Sequence, residues 1–592
     1  MNISNLDWTI IFFFFIIFII IGLINLKKSG ESSKEFFLSG RNMPWWLLGI
    51  SMVATTFSAD TPNLVTNIVR EDGISGNWVW WAFLITGMMT VFFYAKLWRR
   101  SKVLTDLEFY ELRYSGKAAT FLRAFRAIYL GIFFNVMIMA TVCLAGIKIG
   151  GILLGLSPFE CVFYSSLITV IYSSLGGLRS VIVTDLIQFI LAMIGSIWAC
   201  VYVLNLNEIG GLNQLFSHVN VIDKINFLPD FNDKENLITI FIIPIAVQWW
   251  AVWYPGAEPG GGGYIAQRML SAKDEKNAVY ATLLFNVAHY ALRPWPWIII
   301  ALSSLIIYPS LVDISSAFPN VDKSIIGNDI AYPAMLSLLP SGLLGLVLAS
   351  LIAAYMSTIS SHLNWGASYI SIDFYKRFIN LNASEKQVVF IGRISTILLM
   401  ILAGFVALRL SDALDAFQIL LQIGAGTGSI FLLRWFWGRV NAYSEITGMI
   451  ISFLLAIYFQ WFHQEITGQN LKPYIELLLS ISITTISWIL VTLITKPTDN
   501  DKLLSFYNKI KPYGIGWKSF RLLNNISLSQ KDSKSSMNDL LLLFLGILAV
   551  YFCLFGFGYI LFDENLIGVF MLIISFISAF FANYIMKIIY NN

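Results

Sequence analysis

Runs of about 20 apolar residues separated by short polar connections fill almost the whole chain. One such run, coiled as a helix, crosses the hydrocarbon core of a bilayer. The pattern predicts fifteen spans: 8–26, 44–67, 77–97, 125–151, 158–177, 181–206, 237–255, 277–308, 331–375, 387–410, 413–438, 444–462, 475–494, 540–562 and 566–590. Two of them read as interrupted helices. WWLLGISMVATTFSADTPNLVTN carries Thr55, Thr56, Ser58, Asp60 and Pro62 at its centre, and IIPIAVQWWAVWYPGAEPGGGGY carries Pro244, Pro255, Pro259 and four consecutive glycines. Pro and Gly runs cannot sustain regular helix, and open backbone at membrane depth must face protein or a watery cavity. The breaks fall on the second and seventh spans, so spans two to six and seven to eleven each begin with one. Either two unrelated kinks produce this spacing, or the chain is an inverted-repeat secondary transporter whose binding centre lies at the breaks.

A second pattern lies in the ninth span, in LIAAYMSTISSHLN. At ~100° per residue, Ala354, Ser357, Thr358, Ser360, Ser361 and Asn364 occupy an arc of roughly 160°. Small polar residues of this kind either pack helices tightly or offer oxygens to a hard cation. The stripe holds no carboxylate, which suits a monovalent ion better than calcium.

Composition agrees with the spans. The 592 residues are 57% hydrophobic and only 12% charged, about half the charged share of soluble proteins. Of 39 Lys and Arg residues, the loops on one side hold only Arg70, Lys224, Lys234, Lys323, Arg409 and Lys472. The positive-inside rule then puts the N-terminus outside and the C-terminus in the cytoplasm of a cell inner (plasma) membrane protein. Basic residues follow the first apolar run rather than precede it, so that run reads as a retained helix and not a signal peptide. Cys143, Cys161, Cys200 and Cys553 lie inside apolar spans and read as buried hydrophobes. The four histidines are scattered, and no metal cluster or nucleophile–base pair favours an enzyme. Glycines 260–263 lack the Gly-Lys-Ser/Thr of a phosphate loop. The basic residues are topology signals, with no nucleic-acid footprint among them. The expected organisation is an extra helix and cytoplasmic loop in 1–43, a core in 44–440 (repeats 44–206 and 237–440), and C-terminal helices in 441–592 with a cytoplasmic linker at 496–537.

GRNMPWWLLG (40–49), GGLRSVIVTDLIQF (176–189), YIAQRMLSAKD (264–274), LPSGLLGLVLAS (339–350), SIDFY (371–375) and FLLRWFWGRVN (431–441) together resemble the signature stretches of the sodium:solute symporter family, which includes sodium-driven sugar, proline and sialic acid carriers. The resemblance implies an all-α membrane fold of ten core helices in two inverted repeats, shared with the bacterial leucine transporter, and alternating access. One helix is extra at the N-terminus and about four at the C-terminus. It also implies a first sodium site on Ala354, Ser357 and Thr358 with the carbonyls of Ala54 and Phe57. A second sodium, as in some members, would use Asp185, Ser357, Ser360 and Ser361. A carboxylate inside a membrane helix is functional by default; the alternative is that Asp185 is a polar link between helices or to a nearby arginine. Two ions per solute is the expected coupling.

The cargo is less legible. Sugar carriers of the family have a lysine three residues before a proline in the eighth span; Arg293 stands there in ALRPWPW. They also have a glutamate in the third span, and residues 77–97 contain no carboxylate. Asp60, Trp250, Tyr254, Arg293 and Gln418 form the candidate solute face, aromatic faces with polar tips being able to sandwich a sugar ring. Asp60 could pair with Arg293, attract a cationic substrate or modify the first ion site. The expectation is a sodium-coupled symporter of a small polar solute, a sugar or sugar derivative ahead of an amino or organic acid. A transporter-like sensor is the rival from another class, and oligomeric state is left open.

Overall fold

A computed structural model of the chain describes residues 3–250, 260–321, 325–410, 413–469, 471–527 and 530–591. Among them the architecture is all-helical, and eleven helices are long and apolar enough to cross a bilayer. The elements used below are α1 (Asn5–Ser29), α2 (Trp45–Thr56), α3 (Asp60–Asp72), α4 (Asn135–Leu154), α5 (Pro158–Leu204), α6 (Gly263–Ser271), α7 (Glu275–Val287), α8 (Pro294–Ile307), α9 (Leu343–Ser368), α10 (Glu385–Ala407), α11 (Ala413–Phe436), α12 (Gln530–Leu561) and α13 (Asn565–Asn591).

Fifteen expected spans become eleven for identifiable reasons. The second span is broken into α2 and α3, as the sequence pattern predicts. Pro62 has no amide to give the carbonyl four residues back, and the chain leaves the helix at Phe57 (φ −88°, ψ 71°) before resuming at Asp60. The fifth and sixth spans form the continuous α5, whose two halves meet at Gly177 (φ 56°, ψ −163°). That left-handed φ disfavours any side chain, and a Cβ there would lie 2.7 Å from the Phe36 carbonyl oxygen. The seventh span runs into 251–259, outside the described residues, and the eleventh, α11, lies largely among residues whose side chains are outside them.

The centre of the molecule is α9. Every residue from 353 to 369 is buried, so the hydroxyl stripe faces protein on all sides. It packs against α2, α5, α6 and α10. The stretch 496–537, expected as a linker, contains a docked helix at Asn500–Ile510. Its buried residues Leu503, Phe506, Tyr507 and Ile510 follow helical spacing, and Phe506 packs against the rings of Phe109, Trp435 and Trp517. The pair α12 and α13 is attached to the core rather than trailing from it. Lys96 meets Asp539 at 2.5 Å with both side chains buried, and the Tyr551 hydroxyl donates to the Trp81 carbonyl.

Candidate substrate and cation site

The break between α2 and α3 leaves carbonyls of the last turn of α2 without helical amide partners. Thr358, on α9, donates to the Thr55 carbonyl at 2.8 Å and to its own helix at Ala354. The hydroxyl therefore meets the open end of α2 between the two carbonyls expected from sequence, those of Ala54 and Phe57. The Ala54 carbonyl is reached by the Phe57 amide at 3.1 Å. Ala54, Phe57, Ala354 and Thr358 are all buried in this one region.

About one helical step away, Asp185 of α5 is fully buried. Its two oxygens accept hydroxyl protons from Ser51 at 2.5 Å and Ser357 at 2.6 Å. Ser357 thus stands with the Asp185 group in this arrangement. Ser361 lies beside it, 2.8 Å from the Thr55 hydroxyl, whereas Ser360 donates to the Ser357 carbonyl. The structure brings together Asp185, Ser357 and Ser361 and adds Ser51 and Thr55, which sequence reasoning missed. It also adds Arg268 of α6, whose guanidinium is held by Ser51, Thr55 and Ser361 and lies 3.6 Å from Asp185. Arg268 follows Gln267 within the otherwise apolar stretch YIAQRML, and that placement was its only signal.

Of the residues expected on the solute face, Asp60 lies on α3 and Arg293 just before α8. A π turn at Ala288–Leu292 precedes Pro294, and such turns often mark functional positions. It presents His289 and Arg293, four residues apart, both buried. Arg293 reaches Thr56 Oγ1 at 3.3 Å and His289 Nε2 at 3.2 Å, and lies over the Trp297 ring. A guanidinium only donates, so His289 Nε2 accepts. Its Nδ1 then carries the proton toward Thr56 Oγ1 at 3.0 Å. His289 is a further residue that sequence reasoning missed; its one-turn spacing from a buried arginine was the available signal.

Along α3 runs a row of buried polar atoms that make no hydrogen bond among the described residues: Ser58 Oγ, Asp60 Oδ1, both amide atoms of Asn63, and Thr66 Oγ1. The Trp250 indole N–H is likewise buried and unbonded. Leaving such groups unmatched costs about 1–3 kcal/mol each. Tyr254 and the side chain of Gln418 lie outside the described residues.

A membrane helix broken at its centre, with a buried carboxylate, a hydroxyl stripe and unmatched polar atoms gathered at the break, has the layout of a membrane transporter of the leucine-transporter-like class. A solved outward-open, substrate-bound structure of a Na⁺-coupled sialic acid symporter shares the fold: TM-score 0.67 at 19% identity, over 84% of this chain and 99% of that one. The profile of the sodium:solute symporter family matches residues 36–452, and the chain belongs to that family. It is 26% identical to a sodium/glucose cotransporter of Vibrio parahaemolyticus over 484 residues, 78% of this chain and 86% of that protein. It is 25% identical to human sodium/myo-inositol cotransporter 2 over 476 residues, 76% and 69% of the two chains. The relatives are transporters, as expected, and the expected family and fold are borne out.

Proposed function

We infer that this protein is a sodium-coupled symporter that imports a small neutral polyhydroxyl solute, a sugar or sugar derivative, by alternating access. The observation that carries the reading is the junction of α2, α5 and α9, where a broken helix, a buried carboxylate and inward-facing hydroxyls converge. The first ion binds at the open end of α2 with Thr358 and the carbonyls of residues 54, 55 and 57. The second binds at Asp185 with Ser357, Ser361 and Ser51, Ser360 lying next along the helix. The core comprises 44–440, with repeats 44–206 and 237–440. The N-terminus lies outside and the C-terminus in the cytoplasm of the cell inner membrane.

Three features support a polyol over an amino or carboxylic acid. The relatives named above are a glucose and a myo-inositol cotransporter. The unmatched atoms of Ser58, Asp60, Asn63 and Thr66 mix donors and acceptors, as sugar hydroxyls do. Arg293 is already engaged by Thr56 and His289, so it orients α2 against α8 rather than waiting for a substrate carboxylate. Sodium crossing ~100 mV releases about 2.3 kcal/mol, which supports roughly fifty-fold accumulation, and a second ion squares that factor.

Uptake of labelled glucose or myo-inositol into proteoliposomes, with and without an inward sodium gradient, tests the reading. Gradient-dependent uptake competed by polyols and not by proline is the expected result. Uptake independent of sodium would overturn it.

A further inference from the structure

Arg268 occupies ground that a cation would need. Its Nε and Nη2 lie 3.2 Å from Ser51 Oγ, 3.3 Å from Thr55 Oγ1 and 2.5 Å from Ser361 Oγ. The same Nη2 lies 3.6 Å from Asp185 Oδ2. These are the oxygens gathered around Asp185, and a guanidinium, which offers only donors, uses them as a small cation would. Both side chains of the pair are fully buried.

Charge sharpens the point. Asp185 and Arg268 together are neutral. Adding sodium while the guanidinium stays would leave a net positive charge buried away from water, which is strongly opposed. Withdrawing the guanidinium as the ion enters keeps the cluster neutral. The pair is also built to part. At 3.6 Å between Nη2 and Oδ2 it is a longer contact than those through which Ser51 and Ser357 donate to the carboxylate. The arginine sits on a helix of nine residues, and the chain enters it through Gly260, Gly261 and Gly263, all at positive φ.

We propose that the Arg268 guanidinium and the second sodium ion are alternative occupants of the Asp185 oxygen cluster, so that this arginine sets how tightly the second ion is held. The inference rests on the sodium reading above and adds a competitor carried by the protein itself.

The test is a sodium titration of the purified full-length chain, choline replacing sodium at constant ionic strength, read by thermal unfolding. Arg268→Gln and Arg268→Met both remove the charge, but only the glutamine amide could itself ligate sodium. Both variants are expected to be less stable than wild type in choline, to recover in sodium, and to show a sodium midpoint lowered about tenfold or more. Adding Asp185→Asn to either should abolish the gain. An unchanged or raised midpoint in both variants, or a lowered one in Arg268→Gln alone, overturns the competition. A wild-type chain with no sodium response sinks the sodium reading and this inference with it. A wild-type response with unmoved variants sinks this inference alone.

Discussion

Asp185 carries the most demanding chemistry in the molecule. A fully buried carboxylate requires matched donors, and Ser51, Ser357 and the nearby Arg268 supply them from three other elements. Replacing Ser357 by alanine leaves one carboxylate oxygen without its donor, an expected loss of about 1–3 kcal/mol, measurable as a lower unfolding midpoint. The same variant should weaken sodium coupling, because the proposed second ion binds with its hydroxyl beside Asp185. Asp185→Asn should retain the first ion and lower the Hill coefficient for sodium-driven uptake from near two toward one. Asp185, Ser357 and Thr358 were legible in the sequence because a carboxylate and a hydroxyl stripe stand out in apolar spans. Ser51, Thr55 and His289 were not: each matters through a partner more than a hundred residues away, and a lone serine or threonine in a membrane helix has no local mark.

At the scale of elements, most spans and the interruption of the second followed from apolar run length and the positions of polar residues and Pro; the interruption expected in the seventh lies outside the described residues. The break in the second span lies where Ser58, Asp60 and Pro62 predict it. The docked helix at Asn500–Ile510 escaped because its stretch is polar on average. Only the spacing of Leu503, Phe506, Tyr507 and Ile510 reveals its buried face. The joint in α5 gives a direct prediction. Gly177→Ala would force a side chain into left-handed backbone and against the Phe36 carbonyl, costing about 1–3 kcal/mol. Gly146→Ala, whose new methyl would meet only Tyr355 at ordinary contact distance, 3.4 Å, should be neutral or slightly stabilising. Thermal unfolding of the two variants in one detergent separates the cases.

Across the whole molecule, ionic networks join elements far apart in sequence. On the Arg-rich side, Arg123 bridges Asp373 and Glu111, and Glu111 also accepts from Arg377. Burial alone would raise the Glu111 carboxyl, but hydrogen bonds and charge from Arg377 and Arg123 outweigh it and hold the group down to about 2, from an ordinary 4.5. A carboxyl depressed by folding contributes stability that is fully present above about 4.5 and is lost as pH falls toward about 2. Wild type should therefore lose unfolding temperature across that window more steeply than Glu111→Gln. On the opposite side, Arg70 ties α3 to Ser304, the Tyr308 carbonyl and Asn328, and Lys148 pairs with Asp329. The proposed orientation puts Glu208 outside and Lys273 in the cytoplasm. A cysteine at 208 should react with an impermeant maleimide on intact cells, and one at 273 only after lysis.

The Lys96–Asp539 contact bears on any attempt to truncate the chain beyond its family-matched residues 36–452. A chain ending near residue 495 would strip an ammonium of its counter-charge inside the bundle, a loss of about 3–5 kcal/mol, and would bare the rings that Phe506 covers. Such a trimmed protein should precipitate on detergent extraction, whereas the same truncation carrying Lys96→Met should be partly recovered.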